Sequence, residues 1–167
     1  MKKKTIAILG STGSIGQTTL DIVKKTKIFK VVLLIVNKNY SKIISQIKTF
    51  KPKIVIIHNP QIYLKIKKKF KSKKIIFLKN TNNLKNYINK IDITVSAIPG
   101  IAGLEPTIYF TKLSKKILLA NKEAIVCGWN LIKKNSIAHK TELIPIDSEH
   151  FSIGELTKIY SINEIEK

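Results

Sequence analysis

Short runs of aliphatic residues recur along this chain, each followed by a longer stretch in which apolar positions return every three or four residues. The continuous runs lie at 5–9, 31–36, 54–57, 75–78, 93–98, 116–119 and 143–146. Apolar runs of this length, rich in β-branched side chains, predict strands buried on both faces. Between them the period changes. Leu20, Ile22 and Val23 mark a helix over 18–27, and Ile43, Ile44 and Ile47 form one stripe over 41–50, with Ser41 placed to cap it. Pro60 near its start predicts a helix over 60–70, and two more lie at 104–113 and 122–135. Shorter helical patterns sit at 84–88 and 153–156. Strand and helix alternate almost without interruption. That pattern predicts an α/β domain with a mostly parallel sheet, right-handed crossovers and helices on both faces.

Composition sharpens this picture. With 44% hydrophobic residues in 167, the chain can bury a core, and whole-chain disorder is excluded. The one cysteine, Cys127, excludes an internal disulfide framework and fits a reducing compartment. The longest purely aliphatic run, 31–36, is far too short to cross a bilayer, so no membrane partner is expected. Met1-Lys2-Lys3-Lys4 imitates the basic start of a signal peptide, but the apolar stretch behind it is broken at Gly10. A cytoplasmic, untargeted chain is expected.

The charge is large and uneven. The formal net charge is +21, and all 31 basic residues are Lys. Residues 1–90 hold 22 of them against a single acid, Asp21, whereas 91–167 balance 9 Lys with 9 acids. A basic half invites a nucleic-acid partner. The absence of Arg argues against it, because Arg is the side chain suited to bidentate base and phosphate contacts. A run such as Lys65-Ile66-Lys67-Lys68-Lys69 fits a solvated helix face. No specific nucleic acid is expected.

Four motifs carry candidate chemistry. The first is Gly10-Ser11-Thr12-Gly13-Ser14-Ile15-Gly16, placed after the first strand at the opening of the first helix. It is a relative of the dinucleotide fingerprint: Gly10 for the tight turn, Gly13 for close approach to a pyrophosphate, Gly16 for packing of helix on sheet. The helix N-terminus offers amides and a positive partial charge to the anion, and Ser11, Thr12 and Ser14 add hydroxyl donors. A Rossmann-like domain follows. The second motif is Asn37-Lys38-Asn39 at the end of the second strand. An NAD site places a carboxylate there for the ribose 2′-hydroxyl; Lys38 suits a 2′-phosphate and points to NADP.

The third, Ala120-Asn121-Lys122-Glu123, follows a strand end, where open parallel sheets line their ligand crevice. Asn121 as a helix cap with Glu123 favourable to the dipole is an equally good local reading. The fourth is Asp147-Ser148-Glu149-His150, again past a strand end. Two carboxylates two residues apart suit a hard cation such as Mg²⁺ or Mn²⁺, although a full site needs more ligands. The alternative is an N-cap by Asp147 or Ser148 with Glu149 in the first turn.

Taken in this order, the four motifs resemble those of the 1-deoxy-D-xylulose 5-phosphate reductoisomerases, NADPH enzymes of the methylerythritol phosphate route to isoprenoids. The stretch 95–104, with Gly100 and Gly103, is similar to that family's nucleotide-domain loop. The resemblance implies that Thr12, Gly13, Ser14 and Ile15 hold NADPH and that Lys38 and Asn39 serve its 2′-phosphate end. It implies that Asn121 and Glu123 lie at the nicotinamide side, with Lys122 on the sugar-phosphate substrate. Asp147 and Glu149 would bind Mn²⁺ or Mg²⁺, and Ser148 and Glu149 would touch substrate. Lys122 and Glu149 are the implied catalytic pair. The implied reaction is a metal-assisted skeletal rearrangement followed by hydride transfer, giving 2-C-methyl-D-erythritol 4-phosphate.

The same resemblance makes 1–147 the cofactor domain and 148–167 the start of a catalytic domain. The family's third acidic metal ligand, its phosphate-binding residues and its lid have no counterpart after Glu149. The expectation is an N-terminal fragment, inactive alone, of an enzyme that is a homodimer at full length. A stand-alone NADPH-binding remnant is the alternative from the binding class. A nucleic-acid-binding protein, resting on the charge alone, is the third.

Overall fold

The computed structural model describes residues 3–70 and 74–159. In chain order the elements are β1 (Lys4–Leu9), α1 (Ser14–Thr26), β2 (Phe29–Val36), α2 (Tyr40–Phe50), β3 (Ile54–Ile57), α3 (Pro60–Lys69) and β4 (Ile76–Leu78). They continue as β5 (Ile91–Ser96), α4 (Leu104–Thr111), β6 (Ser114–Leu119), α5 (Lys122–Ala138), β7 (Glu142–Pro145) and α6 (Ser148–Ile159). The seven strands form one sheet in the order β4-β3-β2-β1-β5-β6-β7. Every pairing is parallel, so the sheet is fully parallel where the sequence predicted mostly so.

From β1 the chain winds outward to β4, then returns to the middle and winds outward again to β7. The reversal lies between β1 and β5: the helices that follow them, α1 and α4, pack on opposite faces of the sheet, which leaves a crevice beyond the paired ends of the two strands.

Strand alternation builds the core on both faces. Ile6, Ile8 and Leu34 pack under α1 with Leu20 and Val23, and Val36, Val55 and Ile57 pack under α2 and α3 with Ile43, Ile47 and Ile66. The opposite set, Ala7, Leu9, Leu33, Ile35, Ile54 and Ile56, meets Leu84 and Phe110 on the other face. Each fully buried Ile or Leu contributes about 1.5–3 kcal/mol. At the amino ends of the strands, Asp92 Oδ2 accepts from the Thr5 amide and hydroxyl, both at 2.8 Å, and Lys115 Nζ lies 2.7 Å from Oδ1. One carboxylate thus ties β1, β5 and β6 together below the sheet, and these three donors, Lys115 first, hold it well below the usual carboxylate range.

The Lys run of residues 65–69 lies on the exposed side of α3, as a solvated face requires. Lys67 sits over the Tyr63 ring and Lys69 over that of Tyr40. No described helix is long and apolar enough to cross a membrane.

Several boundaries differ from expectation, each for a local reason. The first helix begins at Ser14, four residues early, because its opening turn is polar and a glycine cap starts it. Asn39, not Ser41, caps α2: its side chain accepts from the Lys42 amide at 3.1 Å. The run 93–98 is displaced to Ile91–Ser96, since Ala97 and Ile98 leave the sheet and become crevice wall. Residues 84–88 hold only a single 3-10 turn, Leu84–Asn86. The helix expected over 104–113 stops at Thr111, and β6 takes up the chain at Ser114. The pattern at 153–156 lies inside α6, most of which is exposed, and residues 160–167 of the expected second domain lie outside the described residues.

Candidate active site at the sheet's switch point

The glycine-rich loop joins β1 to α1 in a conformation only glycine holds comfortably. Gly10 has φ +82°, and a Cβ there would meet Ala97 O at 2.5 Å. The amides of Gly10 and Ser11 both donate to Ile35 O, at 2.9 and 3.1 Å, which binds the loop to the end of β2. Gly13 caps α1, and having no side chain it leaves the first-turn amides unobstructed. Thr12, Gly13, Ser14 and Ile15 line the crevice.

Ser11 does not join them. It is fully buried, and its hydroxyl donates to Gln46 Oε1 at 2.7 Å while Gln46 Nε2 donates back to Ser11 O at 2.7 Å. The expected hydroxyl donor to an anion is instead a fastener between the loop and α2. Gln46 escaped the sequence reading because a lone Gln on a helix stripe gives no signal of its buried partner.

The crevice has two basins that share Gly13, Ile98 and Pro99. One, of about 710 Å³, lies toward β2 and is lined by Thr12, Asn37, Lys38, Asn39 and His58 among others. Lys38 is exposed there, and Asn39 keeps its amide nitrogen while its oxygen caps α2. His58, just past β3, is a lining residue that the sequence reading missed; its amide donates to Val36 O at 3.1 Å. Only the strand order reveals that the ends of β2 and β3 adjoin.

The other basin, about 490 Å³, lies over the ends of β5, β6 and β7. Asn121, Lys122, Glu123, Asp147, Ser148 and Glu149 all line it, so the third and fourth motifs meet in space. Asn121 is buried and caps α5, accepting from the Ala124 amide at 3.0 Å. Its Nδ2 donates to Gly100 O at 2.8 Å and to Ile98 O. The amide is therefore spent on the loop that separates the two basins. Glu123 stands exposed in the first turn of α5.

Lys122 Nζ lies 3.4 Å from Glu149 Oε1, and the Ser148 hydroxyl donates to Glu149 Oε2 at 2.9 Å. Glu149's own backbone amide, the Ser148 hydroxyl and the Lys122 charge hold that carboxyl below its ordinary range. Asp147 is half-buried at the same end of the basin. Hard oxygen donors of this kind suit Mg²⁺ or Mn²⁺. Among the described residues, no group of three or more His, Cys, Asp or Glu side chains forms a metal cluster. The donor set fits such an ion but supplies only part of its shell.

The sequence model of the 1-deoxy-D-xylulose 5-phosphate reductoisomerase family matches residues 6–128. The reductoisomerase of Pelagibacter ubique is 48% identical over 98% of this chain, which spans 43% of that protein. The Zymomonas mobilis reductoisomerase, solved in complex with NADPH, superposes with a TM-score of 0.80 at 31% identity, over 89% of this chain and 40% of that one. A reductoisomerase solved with NADPH, fosmidomycin and magnesium gives 0.79 at 32% identity, over 88% and 37%. The chain thus spans about two-fifths of the length of these relatives. With the ordered motifs gathered at one switch point and the family model covering most of its length, the chain belongs to the 1-deoxy-D-xylulose 5-phosphate reductoisomerase family.

Proposed function

We propose that this chain provides the NADPH-binding and metal-facing part of an enzyme converting 1-deoxy-D-xylulose 5-phosphate to 2-C-methyl-D-erythritol 4-phosphate. One observation carries the reading: two adjoining basins of the crevice, sharing Gly13, bear Lys38 in one and Lys122, Asp147 and Glu149 in the other.

The residues divide the work along that crevice. Lys38 and Asn39 meet the 2′-phosphate end of the cofactor, and charge on Lys38 selects NADPH over NADH. The first-turn amides of α1, with Thr12 and Ser14, hold the pyrophosphate. Ile15 and Glu123 border the nicotinamide end, and Asn121 sets the position of the loop beside it. Lys122 orients an anionic or polar part of the substrate, Ser148 and Glu149 touch it, and Asp147 and Glu149 would hold the metal. When bound, NADPH supplies hydride and the divalent ion supplies a Lewis acid. Two carboxylates offer a small share of about six oxygen ligands, so the described residues alone bind cofactor without turning substrate over.

We place the chain in the cytoplasm, a reading that fits a single cysteine and no disulfide framework. Pairing with a second copy follows from the family resemblance and is read by sedimentation. The deciding experiment for function titrates NADPH and NADH by cofactor fluorescence, then assays turnover with Mn²⁺. Saturable NADPH binding with weaker NADH binding is expected. Absence of NADPH binding by the folded chain overturns the reading.

A further inference from the structure

We propose that Lys122 is a built-in counter-ion of Glu149 that a divalent cation must displace, so that metal arrival frees the ammonium for the substrate. The inference rests on the proposed function for the identity of the metal end. Lys122 is the first residue of α5, at the positive end of the helix dipole, where a cation is unfavourable. Its side chain reaches across to Glu149, 27 residues later, at the start of α6. Both oxygens of Glu149 are engaged by this chain's own donors, Oε1 by Lys122 at 3.4 Å and Oε2 by Ser148 at 2.9 Å.

A hard cation approaches a carboxylate oxygen more closely than an ammonium does, and it repels a second positive charge beside the same oxygen. Metal at Glu149 Oε1 therefore competes with the Lys122 contact. The two side chains of the pair are 58% and 59% exposed, so the contact is weak enough to yield. Coupling is reciprocal: an anionic substrate group that draws Lys122 away from Glu149 tightens metal binding by the same factor. The pair links the two binding events.

The test measures Mn²⁺ binding by electron paramagnetic resonance on the full chain, on Lys122→Met, and on Lys133→Met. The last removes an equal charge from an exposed position further along the same helix. Lys122→Met is expected to tighten Mn²⁺ binding by about two- to five-fold, the range of one exposed ion pair, and Lys133→Met by clearly less. Equal gains in the two variants, no gain in Lys122→Met, or no Mn²⁺ binding by any of the chains overturns the inference. NADPH titration of the same samples keeps the two readings apart. Normal NADPH binding with an unchanged Mn²⁺ affinity removes the counter-ion alone, whereas loss of NADPH binding by the unmodified chain removes the functional reading itself.

Discussion

Asn121 and Gly103 share one space. A Cβ at Gly103 would collide with Asn121 Nδ2, the atom that donates to Ile98 O and Gly100 O. The buried amide thus depends on a bare backbone three residues beyond the carbonyl it holds, and the wall between the two basins depends on both. Thr107 adds a second tie, its hydroxyl donating to Gly103 O at 2.6 Å.

Replacing Asn121 separates its two duties. Asn121→Asp keeps the oxygen that caps α5 and loses the donors to the loop, while Asn121→Ala loses both. We expect Asn121→Ala to cost about 2–3 kcal/mol in chemical denaturation. Asn121→Asp should weaken NADPH binding despite its intact cap. Unchanged NADPH affinity in Asn121→Asp contradicts the loop's role.

Two glycines of one motif should respond oppositely to alanine. At Gly16 a Cβ would sit 2.6 Å from Ser11 Cα, backbone that the buried Gln46 holds in place. At Gly13 the nearest atom is Gly10 O at 3.4 Å, so the fold has room. Gly16→Ala should lower the melting temperature by several degrees, as a loss of about 1–3 kcal/mol implies. Gly13→Ala should leave it nearly unchanged and weaken NADPH, because the methyl enters the crevice.

Cofactor choice is expected to turn on Lys38. Lys38→Asp should weaken NADPH by about ten-fold or more, the worth of one charge-assisted contact near 1.4 kcal/mol, and leave NADH unchanged or tighter. Parallel fluorescence titrations read both constants. Equal affinities for the two cofactors in the unmodified chain would contradict the assignment.

Acid stability should be governed in part by Asp92. Its carboxyl is more acidic in the folded chain than in the unfolded one, held so by Lys115 and Thr5. The stabilisation is therefore complete above the unfolded value of about 3.9 and is lost as pH falls below that toward the folded value. Asp92→Asn should cost about 1–2 kcal/mol at neutral pH. The gap to the unmodified chain should narrow in denaturation curves taken toward pH 2.

The alternation of strand and helix was legible because most strands carry a short aliphatic run between polar turns. Residues 54–57, four consecutive Ile or Val, allow no other reading. The glycine loop, Lys38 and the two carboxylates were legible because strand ends are where an open parallel sheet keeps its ligands. What escaped was contact across the fold. The motif alone makes Ser11 a donor to the anion, whereas its hydroxyl is taken by Gln46, 35 residues away. His58 became part of the crevice only through the pairing of β2 with β3. Ala97 and Ile98 are apolar enough to extend a strand, and only the turn toward Asn121 takes them out of it.

The strand order also fixes when the crevice can come into being. β1 lies at the middle of the sheet, and one of its neighbours, β5, is tied to it through residues 87 apart in the chain. No hairpin can stand in for that closure, since parallel strands meet only across a long connection. During synthesis at about 5–20 residues per second, one side of β1 waits several seconds or more for its partner. The ligand crevice lies beyond the carboxyl ends of these same two strands, so residues 1–90 must persist without help from bound nucleotide. Any stabilisation by cofactor reaches the fold only after this long-range pairing has formed.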